Sequence, residues 1–428
     1  MPCSPVFTLR NTAMPVIPDR PDKTAFPAAA LALALAVAGL ALPLAAADWP
    51  QFRGKNADGI STEKGPLPAW PASGPRKLWQ VPLGGGYSGI VLADQQLYTQ
   101  FSRDQAEWLG AFDLTTGKNL WSLRLDEMRP DQFGDGPRAT PSLDGDRIYT
   151  VSAYGKLHCA DRKTGKSLWS HDLRARFGLV VPTWGVSSSP VVVGDLLLHN
   201  VGGTPGHLIV AFDKLTGKPV WNSESGLAGY ALPITFELAG SRQTLFFAGQ
   251  KAVAVDPKTG RKLWEVPWET AYDVNAATPI FVAPDRIFLS SGYDTGAGLF
   301  RIESVGGKWV PKELWHSREM KNQFSSSIYL NGYFYGFDGK NLQCLDTKTG
   351  QGVWRRGGFG QGSLTYVDGH FLVLGDNGRL ALIEANPQAY VEIASTQVAE
   401  GKHWTVPTFA DGHLYIRNEV NLLAFALR

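Results

Sequence analysis

Cysteine is scarce in this chain of 428 residues, with three in all, at Cys3, Cys159 and Cys344. So few thiols at such spacing exclude a disulfide-stapled framework. Charge of one sign is lacking as well: 41 Lys and Arg stand against 39 Asp and Glu, and no basic run occurs, which removes nucleic acid from the expected partners. Metal-binding spacing is absent too. His370 and His413 fall in Asp-Gly-His turns with no second His or carboxylate at ligand distance in sequence, and are expected to be solvated. Asn56-Ala57-Asp58-Gly59 echoes a calcium loop, but counting from Gly54 the twelfth position is Gly65, where a bidentate Glu is required. Ser187–Ser189 and Ser325–Ser327 sit in no Gly-x-Ser-x-Gly elbow, so they are read as small residues near a crowded axis.

What the chain does have is one phrase that keeps returning. It runs Asp113-x-x-Thr116-Gly117-Lys118-x-Leu120-Trp121 and recurs at Asp161…Gly165…Trp169, Asp213…Gly217…Trp221, Asp256…Gly260…Trp264 and Asp346…Gly350…Trp354. An apolar run ends in an Asp whose carboxylate can accept turn N–H groups, Gly supplies φ > 0, and the strand returns antiparallel to a Trp. Each copy therefore specifies a β-hairpin locally. A ring as large as Trp at the same place five times reads as a packing wedge between neighbouring repeats.

Weaker copies at Arg301-Ile302-Glu303, Leu382-Ile383-Glu384 and Ala424-Phe425-Ala426 bring the number to eight. Successive anchors lie 38 to 52 residues apart, the length of a four-stranded propeller blade. The last copy stops at Arg428 without turn or Trp, whereas Lys77-Leu78-Trp79 is a turn-and-Trp half with no Asp strand before it. The two halves complete each other. The expected fold is thus all-β: an eight-bladed β-propeller of four-stranded antiparallel blades, closed by N- and C-terminal strands that share the last blade. Cys159 and Cys344 then lie on opposite blades, too far apart to bridge, and are expected to be buried.

Residues 1–47 read differently. With a start at Met14, Arg20 and Lys23 precede an apolar stretch from Ala28 to Leu44, and Ala45-Ala46-Ala47 offers a cleavage site before Asp48. This predicts an exported protein, periplasmic or extracellular, with no lipid-bearing Cys at the cleavage point and no membrane span afterwards. The expected layout is leader 1–47, N-terminal arm 48–76 and propeller 77–428.

The Asp-x-x-Thr-Gly-Lys-x-x-Trp phrase, the opening Asp48-Trp49-Pro50-Gln51-Phe52-Arg53-Gly54, and the segments Gly136–Pro141 and Gln323–Ser327 resemble the PQQ-like β-propeller repeat proteins. That superfamily includes quinoprotein alcohol dehydrogenases and the outer-membrane assembly factor BamB. The resemblance covers about 48–428 and rests on a structural turn, so it implies fold more firmly than activity. A dehydrogenase of this kind implies a quinone held between a Trp and two adjacent cysteines, with calcium liganded by Glu, Asn and Asp beside a catalytic Asp. This chain has no adjacent cysteines and no Cys-x-x-Cys-His haem motif. The reading that results is a non-catalytic binding or assembly scaffold, expected to be monomeric, with a protein or small-molecule partner in the cell envelope and no assigned metal or catalytic residue. The alternative is a PQQ-dependent oxidoreductase using PQQ with Ca.

Either function would use the central funnel. Residues at equivalent places just before or within the innermost strands are Tyr87, Arg138, Trp184, Tyr230, Asn275, Gln323, Gln361 and Trp404. Arg138 offers a fork for a carboxylate or phosphate, Asn275 and Gln323 paired donors and acceptors, and Trp184 a stacking face.

Overall fold

The computed structural model describes residues 48–428; the expected leader over 1–47 falls outside them. Eight antiparallel sheets of four strands follow one another along the chain. The first seven blades occupy residues 91–127, 142–172, 191–223, 234–267, 280–317, 328–356 and 363–397. The eighth combines Thr408–Ala410, His413–Arg417 and Asn421–Ala426 with the strand Arg76–Pro82, in which Trp79 pairs with Ala424. The ring is therefore an eight-bladed propeller closed by strands from both ends of the described chain. Closure leaves no inter-blade gap at which a sheet face would be exposed.

The repeated phrase folds for the reason its residues suggest. Asp113 Oδ1 accepts from the Thr116 amide at 2.8 Å and from its hydroxyl at 2.6 Å, and Asp161 and Asp213 repeat both bonds. Gly117, Gly165, Gly217, Gly260 and Gly350 all have φ between 68° and 73°, the left-handed region that a Cβ makes costly. The Trp at the end of each phrase then reaches the next blade. Indole Nε1 of Trp79, Trp121, Trp169, Trp221, Trp315 and Trp354 donates to the carbonyl of Leu114, Arg162, Lys214, Pro257, Thr347 and Asn386, each in the turn of the following blade. One apolar ring and one hydrogen bond thus join the blades at six of the eight boundaries.

Trp264 departs from that rule, and the cause lies in the fifth blade. There the Asp-turn is replaced by a long hairpin, Gly296–Val305 and Lys308–Ser317, so no turn carbonyl is presented. Trp264 instead donates to Gln243 Oε1 at 2.7 Å, and Trp309 from the hairpin packs against the fourth-blade core. Cys159 and Cys344 are free and buried. His370 and His413 each open a strand and are half-buried, not solvated in a turn.

The segment before Arg76 is more than a flanking arm. Trp49 bridges to Leu92, Pro50 accepts from the Leu143 amide, the buried Arg53 donates to Ser327 O at 2.6 Å, and Gly59 accepts from the Tyr366 amide. Glu63 then receives the amides of Asp411 and Gly412 and lies 3.4 Å from Arg428. The arm so crosses from the first and second blades to the sixth, seventh and eighth, at the end where the innermost strands turn back. Its Phe52 lines the central cavity.

Candidate functional site

In a propeller the innermost strands converge, and the segments leading into them surround the axis. Here all eight lead-in segments contribute to one cavity of ≈ 310 Å³. Seven of the eight residues predicted from sequence stand on its wall: Tyr87, Arg138, Trp184, Tyr230, Gln323, Gln361 and Trp404. Asn275 does not. Its flanking residues Val274 and Ala276 line the cavity, and in an extended segment the residue between them points the other way. Buried behind the wall, Asn275 Nδ2 donates to the carbonyls of Ala248, Gly249 and Trp268, and its Oδ1 accepts from Ser291 at 2.7 Å. It ties the fourth blade to the fifth.

Phe52, Phe133, Tyr293 and Phe324 also line the cavity and were not among the sequence candidates. Phe52 comes from the arm, Phe133 from early in the segment leading into the second blade and Tyr293 from the connection between the second and third strands of the fifth blade, places that the candidate positions before each inner strand do not cover. Phe324 follows Gln323 directly and is the one that scanning both faces of the lead-in segment would have found.

The wall has two aromatic groups. Trp404 packs against Tyr87, Phe324 and Phe133 at centroid distances of 5.0, 4.9 and 6.4 Å. Trp184 packs against Tyr230 at 6.1 Å. The cations beside the first group are already matched. Arg138 lies 3.3 Å from Asp131 and 5.6 Å from the Tyr87 ring centre, while Lys402 sits 4.4 Å over Trp404 and 3.7 Å from Glu419. The Tyr87 hydroxyl donates to Glu419 at 2.7 Å, and burial together with that carboxylate pushes its pKa up. Burial pushes Tyr230 up to about 12. Both phenols are neutral donors at physiological pH.

The serines are occupied by the ring itself. Ser189 Oγ accepts from the Thr140 amide, Ser326 Oγ from the Thr278 amide, and Thr140 Oγ1 from the Gly89 amide, each at 2.9 Å and each across a blade boundary. Among the described residues, no Asp, Glu, His or Cys lines the cavity. Aromatic faces, amides and hydroxyls can stack and hydrogen-bond a ligand, but they include neither a carboxylate or imidazole base nor an anionic metal ligand.

A buried acid stands further back, near Arg138. Glu107 Oε2 accepts from the Ala153 amide at 2.9 Å, and its Oε1 has no partner. Burial, reinforced by Asp126 and opposed by backbone amides and Arg138, pushes its pKa up to about 7. The native state holds this proton more tightly than the unfolded chain. Its contribution is fully present below the unfolded value and lost as pH rises through about 7, on the order of 3 kcal/mol. Glu107→Gln, neutral throughout, should melt above the parent protein at pH 8, with the gap closing below about pH 5. Thermal scans at both pH values check this.

The quinone–calcium group implied by the family resemblance does not fit these residues. Among the described residues no carboxylate lines the cavity and no cluster of His, Cys, Asp and Glu could hold a metal ion, and Asn275 is spent on backbone carbonyls. No helix among them is long and apolar enough to cross a membrane.

Comparison with known proteins gives similarities on both sides of the superfamily. The chain is 27% identical over 154 residues to a quinoprotein ethanol dehydrogenase of Pseudomonas putida, covering 32% of this chain and 24% of that one. It is 23% identical over 277 residues to the outer membrane protein assembly factor BamB of Burkholderia pseudomallei, covering 60% of this chain and 62% of that one. It therefore spans less than two thirds of either relative. The quinohemoprotein alcohol dehydrogenase of Comamonas testosteroni superposes with a TM-score of 0.64 at 13% identity, over 89% of this chain and 80% of the other, a likeness of fold. The family described as outer membrane protein assembly factor BamB matches residues 105–356. With five turn-and-Trp phrases, eight blades and that match over more than half its length, the chain belongs to this family of PQQ-like β-propeller repeat proteins.

Proposed function

We propose that this protein is an exported, monomeric, non-catalytic binding scaffold of the cell envelope, which holds a protein or small-molecule partner through the rim or central funnel. The observation that carries the reading is the chemistry of the funnel wall: aromatic faces, amides, hydroxyls and the ion-paired Arg138, with no carboxylate, imidazole or thiol among the described residues. Such a wall binds by stacking and hydrogen bonding and has no group to take a proton from an alcohol. The leader pattern over 1–47 supports export to the periplasm or beyond.

A second reading, a PQQ-dependent alcohol dehydrogenase, is favoured by the similarity to quinoprotein enzymes and by the Trp184 and Trp404 faces, on which a planar ring could stack. Adding PQQ and Ca²⁺ to purified protein separates the two. The scaffold reading expects no dye-linked oxidation of ethanol or 1-butanol and no saturable absorbance change that needs Ca²⁺. Stoichiometric quinone binding with turnover would replace it by the dehydrogenase.

A further inference from the structure

Two tyrosines at the funnel mouth are held at a backbone cost. Tyr272 (φ 62°) and Tyr293 (φ 55°) each lie in the left-handed region, and each is followed by an Asp in the same region, Asp273 (φ 56°) and Asp294 (φ 63°). Turns of this shape take Asn-Gly or Asp-Gly readily and disfavour a ring-bearing residue at the first position. The strain is not repaid by burial, since Tyr272 is 69% and Tyr293 38% exposed. What the conformation achieves is placement. Tyr272 meets Trp184 with ring centres 5.9 Å apart at 82° and meets Tyr293 at 5.9 Å and 65°, so three rings form a continuous aromatic lip running into the cavity.

The charges around the mouth narrow what that lip can take. Asp273 and Asp294 sit on the fifth-blade side, and among the described residues neither forms an ion pair or a side-chain hydrogen bond. Arg138 and Lys402 flank the first blade, opposite, and are already matched by Asp131 and Glu419. An anion meets two unpaired carboxylates at the mouth and no free cation within. A cation passing the lip finds no carboxylate on the wall. A neutral ligand with an apolar face and a rim of donors and acceptors meets neither obstacle: its hydroxyls can donate to Asp273 and Asp294 and reach Gln323 and Gln361.

We propose that the funnel binds the end of a neutral saccharide chain without a metal ion, with Trp184, Tyr272 and Tyr293 as the stacking platform. This rests on the scaffold reading and names its ligand class. The test titrates the full chain, in EDTA, with cellotriose, maltotriose and triacetylchitotriose, following tryptophan fluorescence and calorimetry. The expected result is saturable binding of at least one trisaccharide with Kd on the order of 1 mM or tighter, weakened about tenfold by Tyr272→Gly. Because Gly tolerates φ > 0, the same variant should melt at or above the parent temperature, a combination that a structural role for Tyr272 would not give. Binding unchanged in Tyr272→Gly, no binding by any of the three sugars, or preferential binding of tetramethylammonium or benzoate would each overturn the inference. Those failures leave the scaffold reading standing, whereas quinone-dependent turnover overturns that reading on its own.

Discussion

Arg417→Met is expected to lower stability by about 3–5 kcal/mol, because several buried acceptors lose their charged donor at about 1–3 kcal/mol each. Arg417 ends the strand His413–Arg417 of the eighth blade and is fully buried. Its Nη1 donates to Gln100 O and Thr99 Oγ1, and its Nη2 to Gly84 O and Gly85 O at 3.1 Å each, all on the first blade or the segment leading into it. One guanidinium thus spans the joint where the ring closes. Burial pulls its pKa down to about 9, so at neutral pH it is still the cation those carbonyls need. Met matches much of the volume but leaves the acceptors unsatisfied, and Lys has too compact a head to span them. The melting temperature should fall by roughly 4–6 °C with Met and by less with Lys. A Met variant within about 1 °C of the parent would show that the joint does not depend on this residue.

Gly165→Ala should be the next most damaging of the changes considered, and Gly145→Ala supplies its control. Gly165 has φ 72° and an added Cβ would lie 2.5 Å from Trp121 Cε3, inside the indole that docks on its turn. Gly145 has φ 56° but nothing within 4 Å of the added atom. Both changes incur the left-handed penalty of about 1–2 kcal/mol, and only Gly165→Ala must also displace the ring, adding about 1–3 kcal/mol of overpacking. Urea denaturation should therefore separate the two midpoints clearly. Equal losses would mean that backbone conformation alone, not the Trp dock, makes Gly necessary in the phrase.

That comparison also explains how much the sequence discloses. Asp113, Gly117 and Trp121 act within one turn and on the next blade, so their chemistry repeats in the chain and is legible from it. The closing strand was legible for the same reason: Trp79 is half of a phrase whose other half is at the far end. The funnel was legible by position, because equivalent residues before each inner strand must surround an axis.

Other features depend on contacts that no local pattern encodes. Asn275 has the right position but the wrong face, and only the alternation of Val274, Asn275 and Ala276 in three dimensions sends it behind the wall. Phe52 reaches the cavity because Arg53 anchors the arm to Ser327, a pairing across 274 positions. The paired Tyr-Asp turns look like ordinary loops until their φ values and their meeting over the mouth are known. Trp264 shares its phrase with the others and loses its usual acceptor through what is missing from the fifth blade.

Closure of the ring rests on the strand Arg76–Pro82 completing the eighth blade. Arg76 pairs directly with Ala426, and directly opposed strand residues lie within the Cα range of a disulfide. In the full chain carrying Arg76→Cys and Ala426→Cys, with Cys3→Ser to remove the third native thiol, mild oxidation should give an intramolecular bridge, leave the buried Cys159 and Cys344 unreacted, and raise the melting temperature. Two persistently free thiols at 76 and 426, or bridges only between molecules, would contradict the closed ring.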